Sequence, residues 1–557
     1  MIKNIFTIAV LITLQANAQI LSIGNLKKAI RDDEKYHVWV YFTDKIRSLQ
    51  KANISEKALK RRSKVEINVN FSQYDLNPSS EYVTKIINTG AKIRQQSRWL
   101  NAISIECNEQ QLVEISYMPF VKEVKPIIQY RRQILKEEPI LTKLQKKTHL
   151  TEIDYGNAQS QIEQINVHRA HEDGYFGQGV TVLMLDTGYN LDHPVFDSIN
   201  VVAEWDVINN DSITKNQDTQ DVSGQHNHGT GALSALGGFA PGTLVGPAFK
   251  ADFLLAKTEI LDQEVQLEED NFVRALEWGE ARGADVMSAS LGYTNWYTWQ
   301  DMDGNTAVTT KAVDIATSLG MLCVTSAGNE NLNTWGHITA PADANSVIAV
   351  GAVDSNGSIA NFSSRGPTFD GRIKPEVCAR GVQTACASGN GVSYIKSNGT
   401  SFATPLVAGS AAILLSAHPT LSPLTLRNAL LKTASQSNSP DNDYGYGIID
   451  VWAAIKVDSN VVTVPDEFKL YQNYPNPFNS ITSITYDIKQ SKQVKVIVYD
   501  ILGCKVKILT DEFESPGNKT IHWDGTDQFN KIVPTGIYFY SLILGGEIST
   551  KKMLFIK

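Results

Sequence analysis

The sequence predicts an α/β protein: a mostly parallel sheet with helices on both faces, preceded by a small α+β unit and followed by a small antiparallel β-sandwich. Three observations predict it. Between residues 155 and 455 short apolar runs alternate with helical periodicity; residues 19–147 mix strand-like and helix-like stretches; residues 466–557 hold short alternating strands between turn residues. At 557 residues the chain is too long for one ordinary core, so several folded units are expected.

Taken in order, residues 1–18 read as a signal peptide. Lys3 gives a positive start, residues 5–14 are apolar, and Ala16-Asn17-Ala18 is a small-x-small cleavage site before Gln19. The apolar stretch is too short to span a bilayer, and no later segment reads as long enough, so an exported mature chain without a membrane span is expected. In residues 19–147, strands are expected at 37–42, 102–105 and 121–124, and helices at 55–62 and 81–89. The charged connection from Tyr130 to Lys147 reads as an exposed, cleavable linker, with the cut between Arg131 and Glu152.

In residues 155–455 the apolar runs 180–185, 251–257, 285–290, 321–325 and 347–353 are the expected strands. Helices are expected at 228–236, 271–281, 306–319, 401–417 and 423–433. Runs apolar throughout, rather than alternating, are what a sheet covered on both faces requires, and in such sheets function gathers beyond the carboxyl ends of the strands. After the loose segment 458–466, the runs 484–488, 494–499 and 536–540 alternate as sandwich strands do.

Composition narrows the class. With 42% hydrophobic and 20% charged residues and a formal net charge of -8, the chain is globular and lacks the basic footprint of a nucleic-acid binder. Five cysteines, Cys107, Cys323, Cys378, Cys386 and Cys504, are too few for a disulfide scaffold. A Cys378–Cys386 bridge across one short loop stays open, Cys323 reads as a buried small hydrophobe, and no thiol has surroundings that would activate it.

Hydrolysis of a peptide bond by a hydroxyl needs an exposed serine, an imidazole to take its proton, a carboxylate to orient that imidazole, and donors for the oxyanion. Asp186 follows the apolar run Val182-Leu183-Met184-Leu185 and precedes Thr187-Gly188, which places a carboxylate at a strand end. His228 opens His228-Gly229-Thr230-Gly231-Ala232, where small residues let a helix start packed closely under an exposed ring. The neighbouring His226 reads as a polar surface residue. Ser401 stands before the apolar run 403–415 at the positive end of a buried helix, either as a plain N-cap or as a nucleophile beside its own N–H. Pro405 is tolerable there only near the first turn. Asn329, in Ser326-Ala327-Gly328-Asn329-Glu330, offers a side-chain amide. Each alone passes for a turn, a helix start or a cap; four in this order do not.

These residues sit in Leu185-Asp186-Thr187-Gly188 with His193-Pro194, His228-Gly229-Thr230, Ser290-Leu291-Gly292, Ser326-Ala327-Gly328-Asn329-Glu330, Phe362-Ser363-Ser364-Arg365-Gly366-Pro367 and Gly399-Thr400-Ser401-Phe402-Ala403-Thr404-Pro405. On these motifs residues 155–455 resemble the subtilases, the subtilisin-like serine peptidases. The resemblance implies a secreted endopeptidase acting on proteins or peptides: Ser401 as nucleophile, His228 as base and then acid, Asp186 holding the ring, and Asn329 with the Ser401 N–H as oxyanion donors. It also implies two walls for the residue before the cut, Ser290-Leu291-Gly292 and Ser326-Ala327-Gly328, and an edge backbone that takes substrate as an added strand. Two departures stand out. The family's His-Gly-Thr-His-Val reads His228-Gly229-Thr230-Gly231-Ala232, which touches the packing behind the imidazole, and its Asn-x-Ser-Leu-Gly reads Ser288-Ala289-Ser290-Leu291-Gly292.

The same resemblance makes residues 19–147 an inhibitory prodomain, removed after folding, and Ser97-Arg98-Trp99-Leu100-Asn101 is similar to prodomains of Bacteroidota subtilases. Residues 466–557, opening with Tyr474-Pro475-Asn476-Pro477-Phe478-Asn479, resemble the C-terminal sorting domain of type IX secretion, which makes the secretion machinery a partner and the location extracellular or cell-surface. Catalysis requires no metal or other cofactor; structural calcium is expected of the family, without a ligand spacing that places it. The acidic run 264–270 reads as a solvated helix start, or alternatively as a face for basic substrate residues. A secreted pseudoenzyme or adhesin on the same fold is the rival reading, and an esterase lacks its Gly-x-Ser-x-Gly elbow around Ser401.

Overall fold

The computed structural model of the protein describes residues 35–45, 52–65, 73–127, 129–130, 153–261, 264–457, 469–479, 481–488, 492–514, 517–529, 531–544 and 547–556. The expected signal peptide 1–18, the cleavage window 131–152 and the boundary segment 458–466 lie outside the described residues.

The first unit is an antiparallel sheet of β1 (Tyr36–Phe42), β2 (Lys92–Ser97), β3 (Ala102–Cys107) and β4 (Val121–Pro126), in the order β2-β3-β1-β4, with helices α1 (Glu56–Arg62), α2 (Ser80–Ile87) and α3 (Glu109–Ser116). Strand alternation divides its faces. Val38, Val40, Ile103 and Ile105 pack on Val83 and Ile86 of α2 and Leu112 and Ile115 of α3, whereas Trp39 and Ser104 point the other way, into the next unit. Apolar patterning does not reveal β2, which reads Lys92-Ile93-Arg94-Gln95-Gln96-Ser97, because that strand is paired on one edge only and largely unburied on its faces.

The second unit is built on seven strands: β5 (Thr181–Asp186), β6 (Asn200–Asp206), β7 (Asp252–Lys257), β8 (Val286–Ala289), β9 (Leu322–Ser326), β10 (Ile348–Val353) and β11 (Val377–Arg380). Their order is β11-β10-β9-β8-β5-β7-β6, and every neighbouring pair is parallel. Helices α4 (Asn227–Gly237), α7 (Thr400–Ala417) and α8 (Pro423–Thr433) cover one face; α5 (Leu267–Arg282) and α6 (Val308–Ser318) cover the other. That double cover is why the strand runs are apolar throughout. The chain switches direction of travel around β5, which pairs with β8 on one side and β7 on the other, and the carboxyl ends of β5, β8 and β9 converge there.

Three expectations change. Helix α5 begins at Leu267, so the acidic residues Glu268, Glu269 and Asp270 form its first turn, and all three are buried rather than solvated. α7 is 18 residues long and apolar enough by length and composition to cross a membrane, contrary to the expectation that no later segment would be; with 83% of its window buried, it is a core helix. Cys378 and Cys386 are both buried and no disulfide joins them, and burial pushes the Cys378 and Cys323 thiols far above their ordinary range.

The last unit packs a three-stranded antiparallel sheet (Lys469–Leu470, Thr482–Ile488 and Gly517–Trp523) on a four-stranded one (Lys492–Tyr499, Lys505–Glu514, Gly536–Leu544 and Glu547–Phe555). Ile484, Tyr486 and Trp523 from the first meet Val496, Val498, Tyr540 and Phe555 from the second in one core, as a sandwich requires.

Candidate active site

Asp186 is the last residue of β5, Asn329 follows β9, Ser290 follows β8, His228 lies in the first turn of α4 and Ser401 in that of α7. All are therefore at the carboxyl edge of the central sheet, where strand ends and helix starts meet.

The Asp186 carboxylate is 1% exposed, and its Oδ1 accepts from His228 Nδ1 at 2.7 Å, from the Thr187 N–H at 2.7 Å and from Thr187 Oγ1 at 3.2 Å. Because a carboxylate accepts, His228 carries its proton on Nδ1 and turns Nε2 to the cleft. Two glycines make this contact close. An ideal Cβ on Gly229 would stand 2.2 Å from the Gly188 carbonyl oxygen and 3.0 Å from Asp186 Cβ, and Gly188 itself has φ +127°, a conformation that side chains rarely adopt.

The departure at Gly231 has a direct structural reading. The Phe402 ring packs on the His228 ring with centroids 5.6 Å apart, and a Cβ on Gly231 would meet Phe402 Cε1 at 3.1 Å and Cys386 Sγ at 3.6 Å. Phe402 and Cys386 thus occupy the space behind the imidazole, and the glycine is what lets them in. Ser288, the second departure, is buried within β8, and its hydroxyl has no hydrogen-bond partner among the described residues. It lies behind the cleft rather than on it.

Ser401 is not the N-cap. Gly399 is, with φ +145° and ψ +151°, and the helix begins at Thr400. Ser401 thus stands in the first turn, where the Phe402 N–H bonds the Gly399 carbonyl at 3.1 Å and the Ser401 N–H has no carbonyl four residues earlier in the helix. Pro405 lies deeper than the first turn, at the sixth helical residue. It lacks the N–H that would bond the Ser401 carbonyl, and that carbonyl instead accepts from Ser290 Oγ at 2.7 Å. Ser401 Oγ in turn donates to the Ser290 carbonyl at 3.2 Å, so Ser290 holds the nucleophile candidate by both ends.

Asn329 Oδ1 accepts from Thr400 N and Thr400 Oγ1, both at 3.0 Å, which leaves the NH₂ end of the amide to face the cleft. A point one Cβ away from Gly399 lies 3.6 Å from Asn329 Nδ2 and 3.7 Å from the Ser401 nitrogen, so the two donors converge on one small space beside a residue with no side chain. The Ser364 N–H donates to the Gly328 carbonyl at 2.9 Å, and Ser364 Oγ accepts from the Glu330 N–H at 2.9 Å. The motif 362–367 thereby braces the turn on either side of Asn329, a positioning contact that the sequence pattern alone does not disclose.

Ser290-Leu291-Gly292 and Ser326-Ala327-Gly328 lie side by side, with Ser326 Oγ donating to the Leu291 carbonyl at 3.1 Å. Between them stands Thr339, which sequence reading missed. A Cβ on Gly292 would fall 2.2 Å from Thr339 Oγ1 and one on Gly328 2.7 Å from Thr339 Cγ2, and Thr339 Oγ1 is buried without a partner among the described residues. Nothing in the flanking Ile338-Thr339-Ala340 marks it in the sequence.

His226, expected at the surface, is buried: its Nδ1 accepts from the Asn216 N–H at 2.9 Å, Nε2 lies 3.2 Å from the Gly389 carbonyl, and burial lowers its pKa. Gln129–Tyr130 pairs antiparallel with Glu264–Val265, so chain from the first unit already lies as an added strand on the edge before α5. Neither reading of the acidic run holds beyond that edge. Glu269 accepts from Trp296 Nε1 at 2.8 Å and Tyr297 Oη at 2.7 Å, and Asp270 from Trp39 Nε1 and from Ser104 Oγ at 2.9 Å.

Among the described residues no group of three or more His, Cys, Asp or Glu side chains could hold a metal ion. Where two carboxylates do converge, at Asp206 and Asp221, the buried Lys257 ammonium sits on both.

Three family models match successive parts of the chain: the Subtilase family over residues 177–447, the Peptidase S8 propeptide domain of Bacteroidota over 37–145, and the Secretion system C-terminal sorting domain over 472–557. Subtilisin E of Bacillus subtilis is 31% identical over 369 residues, 66% of this chain and 83% of that one. Subtilisin DY of Bacillus licheniformis is 35% identical over 298 residues, 53% of this chain and 97% of that one. Among solved structures, fervidolysin from Fervidobacterium pennivorans, described as a keratinolytic enzyme related to subtilisin, matches with a TM-score of 0.56 at 21% identity, over 94% of this chain and 77% of that one, which is a likeness of fold. The chain belongs to the subtilase family of subtilisin-like serine endopeptidases, made as a secreted precursor with a propeptide and a C-terminal sorting domain.

Proposed function

We propose that the chain cleaves peptide bonds through a triad of Ser401, His228 and Asp186, with Asn329 and the Ser401 N–H as oxyanion donors. The observation that carries this is the 2.7 Å contact between His228 Nδ1 and the buried Asp186 Oδ1. It fixes the tautomer in which Nε2 accepts the Ser401 proton as Oγ attacks the scissile carbonyl, and it stabilises the imidazolium that forms. Ser401 Oγ swings from the Ser290 carbonyl to His228 for this step. The carbonyl oxygen, now negative, moves into the space where Asn329 Nδ2 and the Ser401 N–H converge. His228 then returns the proton to the leaving amine, and water repeats the sequence on the acyl enzyme.

Ser290-Leu291-Gly292 and Ser326-Ala327-Gly328 form the walls for the residue before the cut, and the substrate backbone adds as a strand to the edge at Glu264–Val265. Residues 19–147 are the self-cleaved inhibitory prodomain, 155–455 the catalytic domain and 466–557 the sorting domain, behind a signal peptide at 1–18. Catalysis uses no cofactor, and any calcium is structural. Incubating purified mature protein with casein tests the assignment, with Ser401→Ala alongside. Hydrolysis and fluorophosphonate labelling are expected of the parent and absent from the variant; hydrolysis that survives Ser401→Ala refutes it.

A further inference from the structure

The propeptide meets the catalytic unit at a second place, far from the cleft. Helix α1 lies across the carboxyl ends of α5 and α6, each closed by a glycine in the left-handed region, Gly283 at φ +94° and Gly320 at φ +96°. The fit is flush: a Cβ on Gly283 would fall 2.8 Å from Lys57 Cβ, and one on Gly320 3.0 Å from the Arg61 carbonyl oxygen.

Arg61, 1% exposed, reaches down between the two helix ends. Its Nε donates to the Leu319 carbonyl at 3.3 Å, Nη1 to the Glu280 carbonyl at 3.1 Å and to the Ala284 carbonyl, and Nη2 to the Glu280 carboxylate. Arg62 adds a fork on the same carboxylate, Nε to Oε1 and Nη2 to Oε2, both at 2.9 Å. Every acceptor around Arg61 belongs to the catalytic unit. Three are carbonyls at or just beyond the negative ends of helices, that of Glu280 shared with the Gly283 N–H at 3.0 Å, and the fourth is a carboxylate wholly buried while the propeptide is in place.

We propose that this is an arginine-binding site of the catalytic unit, filled by Arg61 in the precursor and, once the propeptide has gone, by an arginine of a protein substrate that carries adjacent arginines. The acceptors remain after the propeptide leaves, and the Glu280 carboxylate beside the Leu319, Ala284 and Glu280 carbonyls presents a guanidinium with four acceptors. The arrangement selects the planar, five-donor guanidinium over an ammonium, whose three donors radiate from one atom. The site lies at the amino-terminal edge of the sheet, where Lys57 Nζ approaches Asp252 at 3.6 Å and Asp285 at 4.0 Å at the starts of β7 and β8. From Thr181 to Asp186 the sheet is roughly 17 Å deep, so a chain held here is captured away from the cleft that cuts it.

The proposal rests on removal of residues 19–147, which intact mass reports separately; fluorophosphonate labelling reports the active site separately. The test uses processed enzyme secreted from the full chain, with its nucleophile capped by the fluorophosphonate so that peptide is not consumed. A fluorescent peptide of residues 53–65 is titrated by anisotropy beside its Arg61→Lys form. Saturable binding is expected, weakened roughly tenfold or more by Arg61→Lys, since hydrogen bonds to charged groups are lost, and competed by arginine amide but not by lysine amide. Equal affinity of the two peptides, equal competition by the two amides, or no saturable binding overturns it.

Discussion

The cleft and the propeptide interface are both built from buried carboxylates held by nitrogen donors, yet they are assembled in opposite ways. In the cleft, Asp186 finds its partners in Thr187 beside it and His228 of the same unit, and Asn329 finds Thr400. At the interface, α5 offers Asp270, Glu277 and Glu280, one after another along a single helix, and the propeptide supplies the partners. Trp39 and Ser104 meet Asp270; Ser97 Oγ at 2.6 Å and the backbone N–H groups of Arg98 and Trp99, each at 3.2 Å, meet Glu277; Arg61, Arg62 and Arg98 meet Glu280. The first site is complete without its neighbour. The second is filled by propeptide groups while the two units are joined.

The difference also appears in charge state. Burial raises Asp270 to about 7, with Arg94, Ser104 and Trp39 opposing only in part, so it is readily kept neutral. Burial also works against Glu280, but Arg61, Arg62 and Arg98 overcome it and hold that carboxyl down to about 2. Ten residues apart on one helix, burial prevails at one carboxyl and the guanidinium groups prevail at the other.

Four experiments press on this contrast, from the largest effect down. Ser401→Ala, in a catalytic unit folded with its propeptide supplied as a separate chain, lowers kcat on casein by about 10⁶-fold, the size the loss of a triad member has in subtilisin, while propeptide binding in trans, read by titration, stays within about twofold, because the interface does not use the cleft's hydrogen bonds. Glu280→Gln reverses the pattern: three guanidinium groups lose a buried counter-charge, and about 3–5 kcal/mol of propeptide association is lost, measured by the same titration. Undiminished association would mean that the ion network is not what joins the units. Asn329→Ala lowers kcat by about 10²- to 10³-fold with KM little changed, and a loss confined to KM would remove it from the oxyanion site.

The fourth concerns pH. Burial in the docked state holds Asp270 at about 7 against its ordinary 3.8, so relative to a solvated carboxyl the docked state binds the extra proton. The unfavourable contribution of Asp270 is absent below about 4, grows between 4 and 7 and is constant above 7. Propeptide affinity therefore rises as pH falls from 7 to 5, by up to roughly fiftyfold, with Asp270→Asn flattening that dependence. Glu280, held low, contributes an opposite slope only below its ordinary value near 4.5, outside this window. A profile unchanged by Asp270→Asn would assign the slope elsewhere. Glu269, also raised to about 7, keeps Trp296, Tyr297 and Thr309 whether or not the propeptide is present.

A smaller test stays within the cleft: Thr339→Gly removes the side chain that stands between the two walls, and kcat/KM for peptides with a large residue before the cut should rise about tenfold relative to those with alanine. No change would show that Thr339 does not limit the pocket.

What the sequence determined by itself is the set of candidate site residues. Asp186-Thr187-Gly188, His228-Gly229-Thr230, Gly328-Asn329 and Gly399-Thr400-Ser401 were legible because each functional side chain sits beside the small or turn-forming residues that its own strand end or helix start needs, so cause and consequence are adjacent in the chain. The parallel sheet was legible for a similar reason, since burial on both faces leaves runs apolar throughout. What only the tertiary structure decided is where polar residues are buried. Glu268, Glu269 and Asp270 look like a solvated helix start, and nothing in the helix 55–62 marks Arg61 and Arg62 as buried. Each inference fails because the partner that takes it out of water is supplied from scores to hundreds of residues away: Trp39 for Asp270, Glu280 for Arg61. A charge reads as exposed until the fold brings its counter-charge, and no local pattern records that meeting.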